Sequence, residues 1–156
     1  MRKRIVGQAD RVSELKPKWL DLEEMATVEV TSEAPCSPVE SVFIPSQNSA
    51  WRAAAAGEQK IRVIFDEATP LRTIELHFIE QEIERTQEFS LCWSAAQGGP
   101  MHQIVRQQWS FSPQGSTEEI EHYDVELEDV SAIELSINPD ISGRSVKATL
   151  LKWRMG

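Results

Sequence analysis

No stretch of this chain approaches the ~18 consecutive apolar residues of a membrane-spanning helix. The opening, MRKRIVGQADRV, has the positive charge of a secretory leader. The apolar run of about 7–15 residues that should follow is missing, because Gly7, Gln8 and Asp10 end it after Ile5 and Val6. Cysteine is scarce: Cys36 sits in a proline-flanked stretch and Cys92 in a predicted strand. Two free thiols in a reducing cytosol is the expectation, although a lone pair could bridge. Together these absences lead us to expect a cytoplasmic, bacterial protein with no membrane contact. Positive charge is also short. Sixteen Lys and Arg stand against 25 Asp and Glu, for a net charge of −9, so the surface repels phosphate backbones and nucleic acid is not an expected partner.

Catalytic and metal motifs are missing as well. The chain has no GxSxG elbow, GxGxxG, phosphate-cradling glycine loop or HExxH. His77, His102 and His122 are isolated, without the neighbouring Cys or His that a metal set requires. No metal, no cofactor and no catalytic residue is therefore expected. A small hydrolase would need two carboxylates facing each other across a cleft, and spacing alone does not choose them from 25.

What the chain does have is strand after strand. Its 156 residues, 40% hydrophobic and 26% charged, suit one soluble domain with a short arm. Residues 1–23 are polar, interrupted by Pro17, and end in Trp19, Leu20 and Leu22, which read as an arm docking on the domain or on a second subunit. Residues 24–156 are the expected domain. Period-two alternation puts Ile74, Leu76 and Phe78 on one face of Arg72–Ile79, with His77 solvated on the other. It likewise puts Phe89, Leu91 and Trp93 on one face of Gln87–Ser94. Ala26–Thr31, Lys60–Phe65, the run through Val105, Trp109 and Phe111, the stripes Tyr123/Val125/Leu127 and Ile133/Leu135/Ile137, and Val146–Arg154 complete the predicted strands. Turn signals separate them: DEATP at 66–70, QGGP at 97–100, SPQGS at 112–116 and NPDISG at 138–143. The only helix-like stretches are Pro38–Phe43 and Ala53–Gly57. The fold class is all-β, an antiparallel β-sandwich or barrel.

The order of the pieces resembles a known family. VEVTSE leads into the proline-led turn PVESVF, a loop, and then Trp51 in AWRAA. The extended run KIRVIFDEATPLRTIELHF follows, and SAIELSINPDISGRSVKATLLKWR closes the chain. This is similar to the discoidin, or coagulation-factor C-type, domains of the galactose-binding-like jelly rolls, over residues 26–155. The resemblance implies a jelly-roll sandwich of about eight strands whose last strands return beside the first. The sequence departs from the family pattern in places. The loop before Trp51 reads IPSQNSAW without the usual Asp-Gly. It also lacks the Asp expected of a calcium loop, so a calcium site is not carried over.

The resemblance further implies a non-catalytic binding module, with carbohydrate as ligand, that recognises its ligand through loops at one rim of the sandwich. Five candidate ligand-binding residues follow: Trp51, Arg52, Glu80, Glu82 and Arg85. Arg85 among the carboxylates of Glu80–Glu84 reads either as a polar notch for sugar hydroxyls or as a solvated turn with local ion pairs. Trp51 reads either as a stacking face for a pyranose ring, with Arg52 supplying donors, or as core packing. Gln47 and Asn48 suit hydroxyl recognition and turn formation equally well. Two further places stay open between binding and the bland reading. One is the face carrying Arg106 and Gln108, and the other is the loop Asn138, Pro139, Asp140 and Arg144. The alternative function is a cytosolic protein-interaction or assembly module without a sugar ligand, in which the arm joins copies of the chain.

Overall fold

The computed structural model describes residues 19–156. The rest of the expected arm, and the self-association expected through it, lies outside the described residues. In chain order there follow a one-turn helix α1 (Leu22–Met25), strand β1 (Ala26–Val30), a 3-10 turn (Val39–Phe43), β2 (Trp51–Arg52), β3 (Gln59–Ile79), β4 (Arg85–Ser94), β5 (His102–Phe111), β6 (Glu118–Asn138), β7 (Thr149–Leu150) and β8 (Lys152–Met155). Every strand pairing is antiparallel.

Alternation places the side chains, and two long strands turn that alternation into a sandwich. β3 and β6, each 21 residues, pair along their length. At one end Gln59–Ile64 pairs with Ala132–Ile137, and the layer extends as β1-β3-β6-β4-β5. At the other end Thr73–Ile79 pairs with Glu118–Asp124, and β8 adds on the far side of β3 along Ile74–His77. The two layers face each other: the rings of Phe78 in β3 and Phe89 in β4 lie 5.0 Å apart. Trp51, Trp153, Phe78, Phe89 and Phe111 fill the space between them and are almost wholly excluded from solvent. Burial of such aromatic and aliphatic side chains, at about 25 cal/mol per Å², is the main term holding the layers together.

Four sequence expectations change here. The turn expected at Asp66–Pro70 is instead an irregular stretch inside β3, with register slips from Ile64 through Thr73. Pro70 has no N–H to give a ladder, and Asp66, Glu67 and Ala68 are exposed, so the pairing slips and the strand continues into the second layer. For the same reason the two stripes of β6 belong to one strand. Ala53–Gly57 does not form a helix. The Ala53 and Gly57 N–H groups donate to Ala148 O and Val146 O (both 3.0 Å), and Gly57 sits at φ +91°. Finally, the last strand breaks at Leu151 into β7 and β8. The Leu151 N–H turns to His77 O at 2.8 Å.

The end of the chain returns beside the first of the described residues. The Leu20 N–H donates to Met155 O at 2.8 Å, Leu22 is buried in the core, and the Arg154 guanidinium lies 5.2 Å from the centre of the Trp19 ring.

Candidate functional site

β2 is only two residues long, and its alternation sets the site. Trp51 points inward and is fully buried, with its indole Nε1–H donating to Ser32 O at 3.0 Å. Arg52, the next residue, therefore points the other way and lines a cleft of about 380 Å³. The loop before β2 supplies Asn48 and Ser49 to this cleft, the loop after β1 supplies Cys36 and Ser37, and the β3–β4 turn supplies Glu80 and Glu82. Thr149 of β7 and Leu151 border it from the closing segment. Three of the five predicted ligand-binding residues, Arg52, Glu80 and Glu82, thus meet at one cleft.

The other two do not face it. Trp51 offers no ring face to a ligand, because the indole is enclosed in the core and its polar atom is already bonded. Its role is to anchor β2. Arg85 is also buried, at 2% exposure, on the inward side of β4. Its Nε donates to Glu80 Oε1 (2.7 Å), its Nη1 to Gln87 Oε1 (3.2 Å) and Pro139 O (2.9 Å), and its Nη2 to Thr149 Oγ1 (3.1 Å). The guanidinium also lies 4.8 Å from the centre of the Phe111 ring. Of the five N–H donors of an arginine, four are spent on neighbouring groups. The polar notch is therefore internal, and neither a rim notch nor a solvated turn describes Arg85.

Glu80 belongs to both settings. Its Oε1 takes the Arg85 bond, while its Oε2 accepts the backbone N–H groups of Glu82 (3.2 Å) and Ile83 (3.4 Å), which shapes the β3–β4 turn. At 4% exposure it closes the floor of the cleft. Glu82 is exposed on the rim. The Arg52 guanidinium makes no hydrogen bond or ion pair among the described residues, so its donors are open to a ligand.

Beneath the cleft runs a polar chain that the sequence reading did not single out. Gln87 Nε2 donates to Glu119 Oε1 at 2.8 Å, and both residues are wholly buried. Glu119 Oε2 has no partner among the described residues. Burial pushes the Glu119 carboxyl up to about 7, with the charge of Glu121 adding to this. The Gln87 hydrogen bond and Arg85 oppose the shift. A signal was available: Arg85 and Gln87 share the parity of Phe89 and Leu91, and Glu119 shares that of Tyr123.

The remaining sequence candidates close on themselves. Arg106 and Gln108 both bond Glu88 on the outer face of the sheet, Gln108 at 2.7 Å, and these bonds hold the Glu88 carboxyl below its ordinary range. Asp140 accepts the Ser142 N–H at 3.0 Å and the Arg144 Nε–H at 2.6 Å, which is turn chemistry. His77 is half-buried beside Glu118 at 3.3 Å. Cys36 and Cys92 are free thiols. Among the described residues no three His, Cys, Asp or Glu side chains stand close enough together to hold a metal ion.

No family model matches this chain, and no curated protein is similar to it in sequence. Solved structures are similar to it in fold. The family 32 carbohydrate-binding module of NanJ from Clostridium perfringens, solved with galactose, has 15% identity and a TM-score of 0.64, with 88% of this chain and 96% of that one covered. The family 32 module of AlyQ, solved with 4,5-unsaturated mannuronic acid, has 13% identity and a TM-score of 0.64, covering 90% and 98%. A Ruminococcus gnavus family GH29 fucosidase, solved with fucose, has 11% identity and a TM-score of 0.70. There, 94% of this chain matches 29% of the enzyme. The chain shares the antiparallel β-sandwich fold of these family 32 modules. Its likeness is to binding modules, some of which sit within larger enzymes.

Proposed function

We propose that this protein is a non-catalytic module that binds carbohydrate in the cleft between β2 and the β3–β4 turn. One observation carries the reading: Arg52, whose guanidinium is uncommitted among the described residues, stands in a cleft whose other polar side chains are hydroxyls, a thiol, two amides and two carboxylates. Sugar hydroxyls both donate and accept. Arg52 and the amide of Asn48 supply donors, Glu82 and the Asn48 carbonyl supply acceptors, and Ser37 and Ser49 do either. The fold likeness supports the same class of ligand, since modules of this fold were solved with galactose and with an unsaturated uronic acid. Fold alone does not assign function, so the cleft carries the argument. Recognition here works by hydrogen bonding at a rigid rim, without the Trp51 stacking that the sequence led us to expect.

A thermal-shift screen against sugars tests the proposal. A sugar of ~1 mM affinity present at about 100 mM adds roughly 2.7 kcal/mol. That raises the midpoint by about 5–11 °C for a domain of this size. A shift with one class of sugar, lost in Arg52→Ala while the unliganded midpoint holds, supports the cleft as the site. No shift with neutral or acidic sugars removes the carbohydrate reading and turns the search to a protein partner.

A further inference from the structure

Lys152, the first residue of β8, reaches the loop between the 3-10 turn and β2. Its Nζ donates to the main-chain carbonyls of Ile44 (2.8 Å), Pro45 (3.3 Å) and Gln47. An ammonium has three N–H groups and accepts nothing, so these three carbonyls take every donor it has. All three acceptors belong to one loop, and none is a carboxylate. Carbonyl dipoles turned toward a common point repel one another unless a positive charge stands there.

The loop has little else to hold it. Pro45, Ser46, Gln47, Asn48 and Ser49 are exposed and lie in no strand. The Gln47 N–H bonds Ile44 O at 3.1 Å within the loop itself. Immediately after the carbonyls that Lys152 gathers come Asn48 and Ser49, which form one wall of the cleft.

We propose that Lys152 is a positioning residue for the cleft: its ammonium acts as a built-in cation that gathers the Ile44, Pro45 and Gln47 carbonyls and so fixes the wall bearing Asn48 and Ser49. The consequence for ligand binding rests on the cleft being the binding site; the organisation of the loop does not. An arginine cannot stand in for it. Its planar fork spreads five donors outward instead of presenting three around one point.

Amide hydrogen exchange on the full chain tests this with two variants. Lys152→Met keeps the apolar stem and removes the charge and donors. The Gln47 amide, whose N–H bonds Ile44 O, then exchanges about tenfold faster or more, while the amides of β3 and β6 keep their wild-type rates. Lys152→Ala leaves a space beside the carbonyls, and methylammonium at about 100 mM restores loop protection there but not in Lys152→Met. Wild-type exchange in the loop of Lys152→Met overturns the proposal. So does a loss of protection spread evenly through β3 and β6, which is what a general structural role produces. A Lys152→Ala loop that stays unprotected in methylammonium also counts against a cation role. If the wild type binds a sugar in the cleft, Lys152→Met weakens it about tenfold. In that case Arg52→Ala weakens binding and leaves loop exchange unchanged. If the wild type binds no sugar, loop exchange still decides the role of Lys152.

Discussion

At the scale of the residue, Arg85 and Arg52 show how commitment of donors separates structure from recognition. Arg85 is buried with four donors engaged, while Arg52 lines a cleft with its guanidinium unpaired among the described residues. Removing Arg85 leaves Glu80 buried without its counter-charge, so Arg85→Ala costs about 3–5 kcal/mol. Arg52→Ala loses only partly buried contact and stays within about 1 kcal/mol. Urea denaturation of the two variants checks the contrast, and near-equal midpoints would refute it. The sequence placed both arginines as candidates without showing that Arg85 is internally committed, because hydrogen-bond partners such as Pro139 and Thr149 lie 54 and 64 positions away.

Glu119 makes the stability depend on pH. Its carboxyl titrates near 7 in the folded protein and at its ordinary 4.5 when unfolded, so the folded state holds its proton more tightly. Below about 4.5 both states are protonated and the group has no net effect. As the pH rises from there to about 7, the unfolded chain ionises first and stability falls, by on the order of 3 kcal/mol in all. Glu119→Gln stays neutral throughout. We therefore expect the wild type to lose stability between pH 5 and pH 7.5 relative to Glu119→Gln, measured as the difference in unfolding free energy at the two pH values. Parallel curves for the two proteins would contradict the assignment.

At the scale of the element, β3 and β6 were legible as faces but not as lengths. Alternation identified Ile74, Leu76 and Phe78 as inward, and they are fully buried. The turn-forming residues Asp66–Pro70 then signalled an end where the strand only slips its register. A bulge and a turn use the same residue types, and what separates them is whether a partner strand continues alongside, which is non-local information. Hydrogen exchange should expose the slip. The amides of Glu67 and Ala68 should exchange at least about tenfold faster than those of Val63 and Leu76, although all four lie within one strand. Equal protection along β3 would mean that the ladder is regular after all.

The broken final strand teaches the same lesson. Val146–Arg154 reads as one strand from its composition. In the fold, Trp51 claims Leu150 as a partner while Leu76 claims Trp153, so the segment serves two neighbours and must break between them.

At the scale of the whole molecule, the fold was the most legible property. Strand count, alternation and the order of the closing segments depend on many residues at once, so errors at single turns do not change the architecture. The site was only partly legible. Arg52, Glu80 and Glu82, named from the sequence, do meet at one cleft, Arg52 from β2 and the two carboxylates from the β3–β4 turn. Trp51 was given a second role that its parity with the core denies it. Ser37 and Thr149 were not foreseen, since they reach the cleft only when segments distant in sequence pack together. The Lys152 bonds, spanning 105 to 108 positions, carry no local signal at all.

The central claim is that the cleft binds sugar, and a residue-resolved nuclear magnetic resonance titration tests it most directly. With galactose and galacturonate raised to about 100 mM, the account predicts saturable shifts at Cys36, Ser37, Asn48–Arg52 and Ile79–Glu82 for at least one of them. Those shifts should be absent in Arg52→Ala, whose remaining spectrum stays that of the folded protein. Shifts confined to another face, such as the one carrying Glu88 and Arg106, or no saturable shift with either sugar, would contradict it.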